Sequence, residues 1–381
     1  MLASGPTQGS SRPGANIRVR VRDPAPLTAF PVRCPGRVSR AWGPVPARPA
    51  REVPVMPQRF GAPAVAAALC SLALLGAVAP ASAAQGGEHR PDHHTVVGAL
   101  AATAVSPATA DSRPPGAHTD PTRPCPPGAD RQAHPRPVVL VHGTAENAYD
   151  NWNVMAPALA NAGYCVYAIN YGATGPLTAL GAKATGPIED SAKELAAYVD
   201  RVLRTTGARK VDLVGHSQGA GPMPRQYLKF EGGAAKVHRL VGLAPDNHGT
   251  TVSGLGAVLR AVAPVTDVVL GPAALEQVAG SRFLARLNEG GDTRPGVKYT
   301  VVVTTYDKVV TPYTSGFLTA PADDPAAVTN LTLQDVCPGD SSGHVALSYS
   351  PNAVNLTLDA LDPAHRATWT CENVLAVPPL P

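Results

Sequence analysis

The stretch that decides the fold is Val211-Asp-Leu-Val-Gly-His-Ser-Gln-Gly219, an apolar run that ends in a G-x-S-x-G pentapeptide. Residues 210–215 have the composition of a buried strand, and a helix is predicted to follow up to about residue 230. On such a strand-to-helix turn a serine hydroxyl is exposed, and the amides at the start of the helix favour negative charge beside it. The sequence therefore predicts that Ser217 is a nucleophile, placed on a sharp turn that two glycines allow, Gly215 and Gly219.

Strands and helices alternate on both sides of this motif from about residue 136 onward. Further strands are predicted at residues 137–141, 164–171, 238–243, 298–305 and 328–333, and further helices at residues 153–162, 189–205 and 353–361. The helix at 189–205 has apolar residues at helical spacing and is expected to end at Gly207. Strands that are apolar throughout are buried on both faces. The pattern therefore predicts an α/β fold, with a mostly parallel central sheet and helices on both faces.

A nucleophilic serine needs a base and an acid, which in such folds follow it in the order Ser, Asp or Glu, then His. The histidines that follow Ser217 in the chain are His238, His248, His344 and His365. His344 lies in a predicted loop between the last strand and the last helix, so we predict that it is the base. Asp307 directly follows the preceding strand and is the predicted acid. Asp246 also follows a strand and is the rival for that role.

A second motif lies upstream, where an apolar run ends in His142-Gly-Thr144. We expect the main-chain amides of Thr144 and Gln218 to form an oxyanion hole, with the Thr144 hydroxyl as a further donor. One such donor contributes roughly 3–4 kcal/mol to transition-state stabilisation. Together with the pentapeptide, this motif predicts acyl transfer through a serine.

The first part of the chain differs in composition from the rest. Residues 1–55 contain nine Arg, no Lys and two acidic residues, a net charge of +7, in a Pro-rich sequence without periodicity. Such an arm is either a nucleic-acid-binding segment or, in the interpretation we favour, a disordered stretch translated from upstream of the true start.

Residues 56–83 have the pattern of a signal peptide. Met56 opens a short basic region, which is followed by an apolar run of about 15 residues and by small residues ending at Ala83. The run is shorter than the roughly 20 residues that span a bilayer, which disfavours an uncleaved anchor. We therefore predict synthesis from Met56, cleavage after Ala83 and secretion.

Residues 84–124 show no hydrophobic pattern and are interpreted as a disordered linker. The catalytic domain is then predicted to cover residues 125–375. The whole chain has 381 residues with 41 Pro, which excludes a coiled coil. A mean hydropathy near zero excludes a polytopic membrane protein.

The cysteines agree with export. Cys34 and Cys70 lie in segments that the mature protein is predicted to lack, which leaves an even set of four, Cys125, Cys165, Cys337 and Cys371. In an extracellular protein such a set implies two disulfides, and three connectivities are open. Nearest-neighbour pairing, the connectivity that we adopt, closes loops of about 40 and 34 residues. Neither a metal nor a cofactor is expected, because no cysteine or histidine spacing suggests a ligand set.

Five segments resemble the secreted actinobacterial class 2 (triacylglycerol) lipases of the α/β-hydrolase superfamily. They are His142-Gly-Thr144, Gly215-His-Ser-Gln-Gly219, Leu243-Ala-Pro-Asp-Asn-His-Gly249, Tyr306-Asp-Lys-Val-Val-Thr-Pro312 and Gly343-His-Val345. The resemblance covers about residues 125–371. It implies the α/β-hydrolase fold, with Ser217 as nucleophile, Asp307 as acid, His344 as base, and Thr144 with Gln218 as the oxyanion hole.

Two further expectations follow from the resemblance. Residues 250–287 form an apolar insertion that either covers the active site and lines an acyl pocket or forms core helices. Pro222 and Pro224 depart from the family pattern after the pentapeptide, and Pro224 is expected to disturb the start of the helix.

The predicted function is hydrolysis of carboxylic esters of lipids by an exported serine hydrolase, through an acyl-enzyme. Acyl transfer to another alcohol and polyester hydrolysis would use the same triad and are alternatives, as is a non-catalytic binding module on a hydrolase fold. The expected partner is a lipid or other ester substrate, with or without an oil–water interface. We expect a monomer that neither binds nucleic acid nor spans a membrane.

Overall fold

The computed structural model describes residues 106–365 and 368–375. The predicted upstream segment (1–55), the signal peptide (56–83) and the first part of the predicted linker (84–105) lie outside these residues.

Seven parallel strands form one sheet in the order β1-β3-β2-β4-β5-β6-β7. They are β1 (Ala117–His118), β2 (Val138–Val141), β3 (Val166–Ile169), β4 (Val211–His216), β5 (Val237–Leu243), β6 (Lys298–Val303) and β7 (Val328–Thr332). Every residue of β2, β3 and β4 is buried, as expected for strands covered on both faces. The predicted α/β fold with a parallel sheet is confirmed.

Ten α-helices lie in the described part of the chain. They are α1 (Ala148–Trp152), α2 (Met155–Asn161), α3 (Ile188–Thr206), α4 (Pro222–Phe230), α5 (Gly256–Ala261), α6 (Ala263–Val269), α7 (Pro272–Glu276), α8 (Arg282–Asn288), α9 (Leu333–Val336) and α10 (Pro351–Leu361). The longest, α3, ends at Gly207, whose φ of 69° is the left-handed conformation that glycine adopts without strain. Among the described residues, no helix has the length and apolar character needed to cross a bilayer.

The helices cover the sheet on both faces. Alternate strand residues divide the core, because successive side chains point to opposite faces: Val139 packs with α3, α4 and α8, and Leu140 packs with α1, α2 and α10. The carboxyl ends of all seven strands meet at one edge, where ligands bind in sheets of this type.

The prediction of a disordered linker is wrong for its last part, residues 106–124. Ala117 and His118 pair with Val166 and Tyr167 and extend the sheet by one strand. Ala117 is fully buried, and the chain packs so closely against α2 at Gly116 that a side chain there would overlap Ala160. A two-residue strand carries no periodic pattern, so its tertiary contacts alone place it in the domain.

Two disulfides join neighbouring cysteines along the chain. Cys125 is bonded to Cys165, just before β3, and Cys337 is bonded to Cys371, near the loop that carries His344. This is the nearest-neighbour pairing.

The insertion at residues 250–287 divides into two parts. In α5 and α6 only Gly256 and Thr266 are buried, so these two helices lie on the surface. In contrast, α7 and α8 contribute core residues such as Ala273 and Leu284. The expectation of core helices is confirmed for the second part, and a covering role for the first part stays a prediction.

Candidate active site

Ser217 lies directly after β4 on a strained turn. Its φ of 54° is uncommon for a residue with a side chain, and a short turn of helix, Ser217–Gly219, leads on toward α4. A Cβ at Gly215 would overlap the main chain of Gly219, and a Cβ at Gly219 would overlap the carbonyl oxygens of Val141 and His142. Both glycines are therefore required by the close approach of the backbone at this turn.

The two prolines after the turn do not disturb α4, contrary to the expectation for Pro224. Pro222 and Pro224 are the first and third residues of the helix. The first amides of a helix have no intrahelical partner, so a missing N–H costs little there. The helical hydrogen bonds begin with Arg225, whose N–H donates to the carbonyl of Gly221 over 3.1 Å.

His344 and Asp307 are in direct contact. Nδ1 of His344 lies 2.8 Å from Oδ2 of Asp307, and both side chains are buried. The other carboxylate oxygen, Oδ1, accepts from the amides of Val309 and Val310, both over 2.8 Å. A carboxylate only accepts, so Nδ1 of His344 carries a proton and Nε2 is left as the acceptor. This is the tautomer that a general base for serine requires.

Two loops hold these side chains at the carboxyl edge of the sheet. The hydroxyl of Thr304, after β6, donates to the carbonyl of Ser342 over 2.7 Å, which ties the Asp307 loop to the His344 loop. Ser217 is 6% exposed, and its hydroxyl makes no hydrogen bond within the part of the chain that the structure describes. Hydrogen bonds between nucleophile and base commonly tighten only when substrate is bound.

Asp246, His238 and His248 are not part of this arrangement. Asp246 is fully buried, makes no hydrogen bond to His344, and has no partner for either carboxylate oxygen among the described residues. Burial is the main reason that its pKa is raised to about 7. His238 lies beside Asp212, and His248 lies beside Asp292. The side chain of His365 is outside the described part.

The two predicted oxyanion residues lie together. Nε2 of Gln218 donates to Oγ1 of Thr144 over 2.8 Å and to the carbonyl of Ala184 over 3.1 Å. A third residue, Gln277 at the end of α7, donates from Nε2 to the same hydroxyl over 2.9 Å and to the carbonyl of Ala273. The insertion thus reaches, through Gln277, the loop at residues 142–144 that follows β2, called the oxyanion loop after its predicted role.

Sequence reasoning missed Gln277. It lies 133 residues from Thr144 along the chain, and no spacing or motif marks it. Its assignment as a partner of the oxyanion loop depends on how α7 packs. The carbonyls of Ala184 and Ala273 fix the orientation of the two amide groups, because a carbonyl oxygen only accepts.

Comparisons with known proteins identify the family of this chain. The family model for lipase (class 2) matches residues 135–328. A triacylglycerol lipase of Pseudarthrobacter phenanthrenivorans is 38% identical over 97 residues, which cover 24% of this chain and 28% of that protein. A triacylglycerol lipase of Burkholderia plantarii is likewise 38% identical over 97 residues, covering 24% of this chain and 25% of that protein. The chain thus spans about a quarter of the length of the curated relatives that it matches.

Solved structures with similar coordinates include lipase B of Aspergillus fumigatus, with a TM-score of 0.47, 21% identity, and coverage of 62% of this chain and 55% of that chain. Another is the mature form of the Bacillus licheniformis lipase BlEst2, with a TM-score of 0.43, 20% identity, and coverage of 64% and 95%. Because the class 2 model covers about half of the sequence, including Ser217 and Asp307, this chain belongs to the class 2 lipase family.

Proposed function

We propose that this chain hydrolyses carboxylic esters of lipids through a covalent acyl-enzyme, with Ser217 as nucleophile, His344 as base and Asp307 as acid. The observation that carries the proposal is the 2.8 Å contact between Nδ1 of His344 and Oδ2 of Asp307, beside a serine held at a φ of 54°. The family to which the chain belongs supports the same reaction.

The reaction takes two half-steps. In the first, Nε2 of His344 takes the proton of Ser217 while Oγ attacks the ester carbonyl, and the tetrahedral intermediate collapses when that proton passes to the leaving alcohol. In the second, Nε2 takes a proton from water, the hydroxide attacks the acyl carbon, and the proton returns to Oγ as the carboxylic acid leaves. Asp307 keeps its hydrogen bond to Nδ1 and stabilises the imidazolium in both half-steps.

The negative charge that develops on the carbonyl oxygen needs donors that are already in place. In this proposal the main-chain amides of Thr144 and Gln218 supply them. The hydrogen bond between the two side chains supports this role, because it holds the oxyanion loop against the serine turn.

An apolar substrate is supported by the surface of the insertion. Leu255, Val258, Val265 and Val268 on and beside α5 and α6 are 44–68% exposed. The insertion begins beside the Asp307 loop, where the Thr251 amide donates to the carbonyl of Thr311. It reaches the oxyanion loop at Gln277. Apolar side chains exposed over this span favour contact with acyl chains.

Export is part of the proposal. The two disulfides support it, because such bonds persist in oxidising compartments. The predicted signal peptide at residues 56–83 is the sequence feature that would direct export.

A panel of p-nitrophenyl esters with acyl chains of 2 to 16 carbons tests the proposal. We expect turnover with the wild-type chain, with the highest kcat/KM on medium or long acyl chains. Absence of turnover across the panel, with the chain folded, would contradict hydrolysis and favour a binding module. Preferential transfer of the acyl group to an added alcohol would favour acyl transfer instead.

A further inference from the structure

A second acid–base pair lies behind Ser217. His216 is fully buried, and its two ring nitrogens face two different groups. Nδ1 is 2.8 Å from Oε2 of Glu146, and Nε2 is 3.0 Å from the main-chain carbonyl of His344. Nδ2 of Asn151 lies farther from the same Nδ1, at 3.3 Å. A carbonyl oxygen only accepts, so Nε2 donates to it. With the carboxylate of Glu146 ionised, Nδ1 donates as well and the ring is an imidazolium.

The charges of the pair support each other. Burial alone would lower the pKa of His216, but the carboxylate of Glu146 outweighs it and the pKa is raised. Burial alone would raise the pKa of Glu146, but the charge and hydrogen bond of His216 lower it. Each member therefore favours the charged form of the other.

Glu146 also holds the oxyanion loop. The same oxygen, Oε2, accepts from the amide of Gly143 over 2.9 Å, one residue before Thr144. Asn151 adds to this contact, because its Oδ1 accepts from the same amide over 3.2 Å and its Nδ2 donates to the hydroxyl of Ser348 over 3.1 Å. The residue that precedes the predicted oxyanion donor is thus fixed by the carboxylate.

Stability alone does not account for a buried pair of this kind. Removing two charges from water costs several kcal/mol for each ion, and well-packed apolar replacements of buried pairs are often neutral or stabilising. Apolar side chains at these two positions could not make the hydrogen bonds that join three segments here. The pair connects the oxyanion loop at Gly143, the turn at Ser217 and the loop that carries His344.

We propose that Glu146 and His216 are positioning residues for catalysis, which hold the oxyanion loop and the His344 loop in register on either side of Ser217. The rings of His216 and His344 lie 4.9 Å apart between centroids, so a shift of the first ring moves the carbonyl and ring of the second. This inference rests on the proposed function, because it assigns the pair to the reaction of Ser217.

The variant that tests the inference is Glu146→Gln, which keeps the shape and a hydrogen-bonding side chain but removes the charge. We expect kcat for ester hydrolysis to fall about tenfold while KM changes less than twofold, because substrate binding surfaces are untouched. Asp150→Asn is the matched control. Asp150 is a buried carboxyl group on the same segment that does not contact His216. Burial raises its pKa to about 8, so the exchange removes little charge, and kcat should stay within twofold of wild type.

A spectroscopic measurement tests the charge state directly. In the ¹⁵N-labelled wild-type protein at pH 7, both ring nitrogens of His216 should give protonated-type resonances, and in Glu146→Gln one of them should become unprotonated. A neutral His216 ring in the wild type would overturn the inference, whether or not the variant folds. So would an unchanged kcat in a folded Glu146→Gln variant.

These results separate the inference from the proposed function. If wild type hydrolyses esters through Ser217 and Glu146→Gln does so equally well, only the inference fails. If wild type hydrolyses no ester, the proposed function fails and the pair is not a catalytic positioning device, even where the His216 ring is charged.

Discussion

Oδ2 of Asp307 lies 2.8 Å from Nδ1 of His344, and Oδ1 of the same carboxylate accepts from two main-chain amides. Both oxygens of the Asp307 carboxylate thus have hydrogen-bond partners, which fixes its orientation toward the imidazole. Asp246, the other buried carboxylate after a neighbouring strand, makes no hydrogen bond to His344.

Exchanging each of these acids for an amide should distinguish them. In Asp307→Asn the imidazole loses the acceptor that fixes its tautomer, an effect of about 10⁴ in kcat in serine proteases. We expect the kcat of Asp307→Asn to fall by several orders of magnitude. Asp246→Asn should lower kcat by about tenfold or less. Steady-state kinetics on both purified variants is the measurement, and a larger loss in Asp246→Asn would reverse the assignment.

Gln277→Leu should lower kcat about tenfold. The substitution removes the 2.9 Å hydrogen bond from Nε2 to Oγ1 of Thr144, which steadies the oxyanion loop, and leaves the volume of the side chain nearly unchanged. Glu276→Gln is the control, since its side chain contacts the amide of Ile188 and not Thr144.

A double variant tests whether Gln277 acts through Thr144. The effects of substitutions within one hydrogen-bond network are not additive. The kcat of the double variant Gln277→Leu/Thr144→Val should therefore be little lower than that of Thr144→Val alone. Fully additive losses would mean that Gln277 acts elsewhere.

The two disulfides should differ in their effect on activity. Their loops have similar lengths, with separations of 40 and 34 residues, so each should contribute about 4 kcal/mol to the free energy of unfolding. Cys337 is close to the His344 loop. Its carbonyl accepts from the main-chain amide of Asp340, and the carboxylate of Asp340 accepts from the amide of Ser342.

Replacing Cys337 and Cys371 by serine should therefore lower both the melting temperature and kcat. Replacing Cys125 and Cys165 by serine should lower the melting temperature alone. Equal kcat in the two double variants, measured well below their melting temperatures, would argue against a role for the Cys337–Cys371 bond at the site.

Asp292 should make stability depend on acid pH. Burial opposes its charge, but hydrogen bonds from His248 and the Thr319 amide, with the charge of Arg225, lower its pKa to about 2. Because this pKa lies below the unfolded value of about 4, the stabilisation is present above pH 4 and is lost as the pH falls toward 2.

Asp292→Asn should therefore lower the free energy of unfolding by about 2 kcal/mol at pH 6, and the difference should shrink between pH 4 and pH 2. Asp324→Asn is the control, because its pair with Lys298 is half-exposed and should contribute less than about 1 kcal/mol. Urea unfolding at several pH values is the measurement. A difference that stays constant down to pH 2 would contradict the account of this network.

The sequence predicted the parts of the site that follow strand ends. Ser217, Asp307 and His344 each come soon after an apolar run or its loop, and the parallel sheet brings those positions to one edge. Chain order and local pattern were enough to select them, because each is marked by a glycine turn or a strand boundary.

The remaining parts depend on packing that no local pattern encodes. Ala117 joins the sheet through two residues, Gln277 reaches Thr144 from an insertion, and Glu146 meets His216 from 70 residues away. Each of these contacts is set by tertiary structure, and single-sequence periodicity does not carry that information.

The central claim is that Ser217 forms a covalent intermediate. Ser217→Ala should fold like wild type, because a hydroxyl without a hydrogen-bond partner among the described residues contributes little to packing, and it should lose ester hydrolysis. The loss would be expected for any essential serine, so the site of covalent attachment is the sharper test.

The most direct measurement is intact-mass and peptide mass spectrometry after reaction with a p-nitrophenyl alkylphosphonate ester, which traps an activated serine. The account predicts one phosphonyl group per chain, located on Ser217, with activity lost in proportion to labelling and with no labelling of Ser217→Ala. A label on another residue, or equal labelling of wild type and Ser217→Ala, would contradict it.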